Sequence, residues 1–151
     1  MVTADVTQLG GDAALPIAPS RLVGVVLVHH LNAPAARALS YTCSLELDDV
    51  RAPSVRVDEP ATAELRARWP DHAPHIPLDV VDAPFRDIGG PIFHYMRRIT
   101  ADEQTIAVVV MPELVVTGPA RLLHNQRELY VKRLLLFEPR ITLTSVPYHL
   151  E

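Results

Sequence analysis

Five short runs of aliphatic and β-branched residues, each separated from the next by a segment with helical spacing, constrain this chain more than any other feature. The runs are LVGVVLV (22–28), SVRV (54–57), LDVV (78–81), TIAVVVM (105–111) and ITLTSV (141–146). LVGVVLV and TIAVVVM are continuous rather than alternating, which is the pattern of strands buried on both faces. Between the runs, Pro34 suits a first helical turn, and Ala35, Ala38, Leu39, Thr42 and Cys43 follow at helical spacing. Pro60 opens a second helix with Ala61, Leu65 and Trp69 on one face, and Pro70 is expected to stop it. A third helix begins near Pro91 with Ile92, Phe93, Met96 and Ile99 as its inward stripe. The fourth contains LLHNQREL (122–129) and carries Leu123, Tyr130, Leu134 and Phe137 inward. Strict alternation of buried strands and helices requires crossover connections. The expected fold is therefore α/β, a Rossmann-like doubly wound sheet of five parallel strands in the order 3-2-1-4-5 with four helices.

A chain of 151 residues is the size of one domain. The first twenty residues mix Gly10, Gly11, Pro16 and Pro19 without period and read as a flexible tail or linker, leaving 21–150 for the domain. The longest apolar run is far short of the roughly 20 residues a bilayer crossing needs, and MVTADVTQ has neither the basic start nor the apolar stretch of a signal peptide. The expectation is a cytoplasmic domain with no direct membrane insertion. A single cysteine, Cys43, fits a reducing compartment, and its place among helical apolar positions reads as core. A net charge of -4 argues against binding a nucleic-acid polymer, which needs a basic stripe to replace counterions on phosphates.

Catalytic and metal chemistry lack their patterns. There is no GxSxG, no reactive-cysteine motif and no separated carboxylate pair with a role, so the chain is read as non-enzymatic. The seven histidines include no HxH or HxxxH pair, and adjacent His29 and His30 on a strand would point to opposite faces, so no metal or cofactor is expected.

Ligands of doubly wound sheets bind beyond the carboxyl ends of the strands, where the strand order reverses. Here that places His29, His30, Leu31 and Asn32 opposite Met111, Pro112 and Glu113. His124, Asn125 and Gln126 fall in the first turns of the fourth helix, where unpaired amides favour an anion. They either contact a ligand or bond the neighbouring loop and the turn VPYH. Arg86 leaves the third strand ahead of a helix start, placed for a phosphate or for an ion pair with Asp82 or Asp87. Phe85 stacks on a base or plugs the core edge, and Gly89 and Gly90 serve the turn. Glu128 and Lys132 have the favourable i,i+4 order on a solvated face. Tyr148 and His149 follow the last strand and close over an interface or form a solvated tail.

HHLNAPAARALSYTCSL, RWPDHAPHIPLDVVDAPFR, VVVMPEL, LLHNQ and the terminal VPYHL together resemble the C-terminal cytosolic domain of amino-acid-polyamine-cation superfamily permeases over about residues 21 to 150. That domain is similar in fold to universal stress proteins, and the permease group includes potassium importers inhibited by cyclic di-AMP. The resemblance implies a regulatory domain with a nucleotide ligand, a homodimer, and a transmembrane permease half in cis or as a partner. The alternative is a ligand-free dimerisation module, since ITLTSV alternates and carries no guarding lysine or proline. Universal stress proteins that hold ATP carry GxxGx9G followed by Ser or Thr after strand four. Here that region has only Gly118, followed by Pro119, which has no amide hydrogen, so ATP held in that way is not expected.

Overall fold

The computed structural model describes residues 19–85, 87–116 and 126–150. Strands and helices alternate throughout: β1 (Arg21–Val26), α1 (Ala33–Ser44), β2 (Asp49–Arg56), α2 (Glu59–His72), β3 (Leu78–Asp82), α3 (Gly89–Ile99), β4 (Thr105–Val115), α4 (Gln126–Leu136) and β5 (Ile141–His149). The strands form one sheet in the order β3-β2-β1-β4-β5 with every pair parallel, the expected doubly wound arrangement.

Alternation of side chains along the buried strands feeds two cores, one on each face. Val26, Val28 and Val110 pack with Ala35, Ala38 and Leu39 of α1 and with Leu65 and Trp69 of α2. On the other face Val23, Val25, Val109 and Met111 pack with Ile92, Tyr95 and Met96 of α3 and with Val131 and Leu135 of α4. Gly24 allows α1 to lie close to β1, because a Cβ there would stand 2.7 Å from Thr42 Cγ2. Two core polar groups are satisfied locally: Thr42 Oγ1 donates to the Ala38 carbonyl at 2.8 Å, and Trp69 Nε1 to that of Ile76 at 2.7 Å.

Several element limits differ from the sequence reading. Pro70 lies inside α2, which runs on to His72; the Ala73 amide still donates to Trp69 O at 2.8 Å, so near a helix end the proline removes only its own bond. The second strand starts at Asp49 rather than Ser54, the fourth continues through Pro112 to Val115, and the fifth includes Tyr148 and His149. The inward face of α2 is Thr62, Leu65 and Trp69, with Ala61 only half-buried. On α3, Tyr95 is buried while Phe93 lies half-exposed beneath the Arg97 guanidinium, 4.7 Å from its ring centre. The fourth helix is rotated by one position: Val131 and Leu135 are buried, whereas Tyr130 and Phe137 are exposed. Both stripes fit a 3.6-residue period, and the packing of Val131 and Leu135 into the core with Ile92 and Met96 chooses between them. Gly89 leaves room for Tyr130 and Leu134 against the start of α3, where an added Cβ would lie 2.7 and 2.6 Å from their atoms. Gly89 and Gly90 are thus helical residues of α3, and the first serves close approach rather than a turn.

Candidate functional site

Two prolines shape the carboxyl end of the sheet. In a parallel ladder the N–H and C=O of one residue point to the same neighbour, and successive residues alternate sides. Val28 N donates to Pro53 O at 3.2 Å, so Pro53 faces β1; Leu27 N donates to Val110 O at 3.1 Å, so Val110, and Pro112 two residues on, face β1 from the other side. Neither proline has an N–H to give. Pairing of β1 accordingly stops at Val25↔Arg51 on one side and Val26↔Val110 on the other, while the β2–β3 ladder continues to Arg56↔Asp82 and the β4–β5 ladder to Val115↔His149. Both prolines sit in strands flanked on each side, a position where proline is rare unless a ladder ends there.

Where β1 leaves the sheet and its neighbours continue, a cavity of about 500 Å³ opens, bounded by Val28, Pro53, Val55, Ile92, Met111, Pro112, Leu114 and Val131. Its size falls in the roughly 300–1,000 Å³ range of small-molecule sites. The polar residues of its lining are His29, His30 and Asn32, all from the segment that joins β1 to α1. This is the switch point expected from the strand order. The two imidazoles do not point to opposite faces of a strand: β1 has already ended, and their rings meet edge to face with centres 4.4 Å apart. Asn32 caps α1, its Oδ1 accepting from Ala35 N at 3.0 Å. Beside the cavity, Glu113 and Lys132 pair at 3.0 Å and tie β4 to α4. Lys132 is therefore engaged with a strand residue rather than serving only a solvated helix face.

A second polar cluster lies toward the β3 edge of the sheet, on β2, β3 and α3. Asp79 on β3 accepts from Arg51 Nε at 2.8 Å, from an Arg51 terminal nitrogen at 3.1 Å and from Tyr95 Oη at 2.6 Å. Burial alone would push the Asp79 carboxyl up, but the hydrogen bonds from Arg51 and Tyr95 outweigh it and hold the group below the usual carboxylate range. Burial and the bond to Asp79 push the Tyr95 phenol up, and the separate hydrogen bonds from Arg51 to Asp79 raise the Arg51 guanidinium. Every strong donor here has its acceptor, so the cluster locks β2, β3 and α3 together.

The residues singled out from the sequence scatter. Asn32 lines the cavity. Phe85 does not, and it does not plug the core edge either: it is 90% exposed in the turn after β3, beside Pro84, Asp87 and His94. Ile88 and Ile92, rather than Phe85, are the residues of this region that join the core. Arg86, His124, Asn125, Leu123, Gly118 and Pro119 lie outside the described residues, as does the stretch 1–18. Gln126 is the first residue of α4, and its side chain and that of Glu128 are likewise outside the description. The two alternative acids for Arg86 have other partners, Asp82 with Arg56 at 3.5 Å and Asp87 with the Gly89 amide at 3.1 Å. Cys43 is exposed rather than core, with Sγ 3.8 Å from His75 Nε2, because α1 turns Thr42 and Leu39 inward instead. The cavity walls Pro53, Val55, Ile88 and Val131 were missed; the available signal was a proline beside each valine-rich run, in APSV and VVMP.

Among the described residues no group of three or more His, Cys, Asp or Glu could hold a metal ion. No helix among them is long and apolar enough to cross a membrane. No curated protein matches the chain. Residues 20–148 match a family of transporter domains, and on that match the chain belongs to the KimA potassium transporter C-terminal domain family.

Proposed function

We propose that this chain is the non-catalytic, cytosolic regulatory domain of a potassium transporter of the amino-acid-polyamine-cation type, related to universal stress proteins, and that it senses a nucleotide, cyclic di-AMP first among the candidates. The observation that carries the reading is the cavity at the strand-order reversal, held open by Pro53 and Pro112. Its described lining offers imidazoles, an amide and apolar walls but no carboxylate, hydroxyl or thiol, which suits binding rather than catalysis. A mixed apolar and polar lining fits a base with a polar rim. Regulation follows by population shift: a ligand that prefers one arrangement of two subunits biases an attached transporter toward it.

The test is isothermal titration of the purified domain with cyclic di-AMP, AMP and ATP, repeated on Leu114→Trp, which narrows the cavity at its rim. Saturable binding of one nucleotide, lost in a variant of unchanged thermal stability, supports the reading. A folded domain that binds none of them ends it.

A second reading, assembly without ligand, has its own support. β5 is an edge strand of nine residues, and beside it Leu136 at the end of α4 is 69% exposed and Phe137, just after the helix, 87%. Large apolar groups next to an open strand edge suit a second copy whose β5 pairs with this one.

A further inference from the structure

We infer that the cavity takes its ligand base first and that Asn32 selects for a hydrogen-bond acceptor on that base, an inference that rests on the strand-end cavity being the ligand site. The inner walls are Val55, Ile92, Met111 and Val131, and the described lining holds no lysine or arginine. A phosphate drawn in among these side chains would lose its water without gaining a charged partner. A flat, uncharged heteroaromatic ring loses little and buries apolar area.

Asn32 then decides which edge of the ring is read. A backbone N–H can only donate, so the atom that Asn32 turns to Ala35 N at 3.0 Å is its carbonyl oxygen. The group left to offer is the amide NH₂, a donor, and the cap fixes its direction before any ligand arrives. The matching ligand edge carries a ring nitrogen or a carbonyl oxygen. Binding in this way reinforces the cap instead of competing with it, so occupancy orders the start of α1. That helix packs through Ala35, Ala38 and Leu39 in the same core as Val146 of β5, which gives the cavity a route to the sheet edge.

The discriminating variant is Asn32→Asp. Aspartate keeps a capping oxygen for Ala35 N and therefore the helix, but replaces the donor with an atom that only accepts. Titrations use cyclic di-AMP and uncharged adenosine, the second excluding simple charge repulsion, with amide exchange at Ala35 followed alongside. The expected result is unchanged thermal stability, affinity for both probes lower by about tenfold or more, and slower Ala35 exchange on binding to the wild-type domain only. Wild-type affinity in Asn32→Asp overturns the inference and leaves the cavity as the ligand site. Failure of both probes to bind the wild-type domain overturns the site and the inference together.

Discussion

Asp79 shows how one carboxylate can hold three elements, receiving Arg51 from β2 and Tyr95 from α3 while it stands on β3. Its carboxyl titrates below the usual range when folded, so below about pH 4 the unfolded chain binds the proton more readily than the folded one. The stability it contributes is therefore present above the unfolded value and is lost as pH falls through the folded one. Asp79→Asn is expected to cost about 1–2 kcal/mol at pH 7, a figure discounted for partial exposure, with the gap to wild type closing below about pH 4. Urea denaturation at pH 7 and pH 3.5 measures this; a gap that stays constant with pH would assign the loss to packing. Sequence alone did not show the cluster, because Arg51 and Tyr95 lie far from Asp79 along the chain and only the β2–β3 pairing and the seat of α3 bring them together.

At the scale of elements, strand and helix identities were legible because two periods, continuous apolar runs and 3.6-residue stripes, are local properties. Element limits and helix rotation were not. The runs SVRV (54–57) and TIAVVVM (105–111) leave Pro53 and Pro112 just outside the strands that contain them, yet a strand tolerates proline wherever the bond it lacks would point to a neighbour that has already parted from it. That neighbour is β1 in both cases. Pro53→Val and Pro112→Val restore donors facing β1, so each is expected to let β1 pair further, raise thermal stability by about 0.5–1 kcal/mol and weaken nucleotide binding as the cavity closes. Melting curves and titration on the same samples check both signs at once, and a variant that is stabilised without losing any binding would detach the prolines from the site. In α4 the choice between the Tyr130 and Val131 stripes rested on the packing of Val131 and Leu135 against Ile92 and Met96 of α3 and on the Glu113–Lys132 pair, neither of which a helical period contains.

For the whole molecule, the assembly reading makes its own demand. Ala107 N donates to Arg140 O at 3.0 Å and Leu150 N to Val115 O at 3.3 Å, so even-numbered residues of β5 face β4 and odd-numbered ones face the open edge. The strand carries Pro147 on that outward side, a guard the run ITLTSV did not include. Ser145→Pro removes another outward donor while leaving the β4 ladder intact. If β5 pairs with its twin, sedimentation equilibrium should show a wild-type dimer and a folded monomeric variant; an unchanged mass would rule out edge pairing. The doubly wound parallel sheet followed from the order of apolar runs along the chain, because parallel strands need crossovers and crossovers leave few topologies; the strand order, and the switch point placed by it, came from likeness to Rossmann-like sheets. Where the sheet opens, which side chains line the opening and which acid meets which base came from the folded molecule alone. Those facts depend on the direction of single backbone bonds and on contacts between residues far apart along the chain, and no local pattern of residue types encodes either.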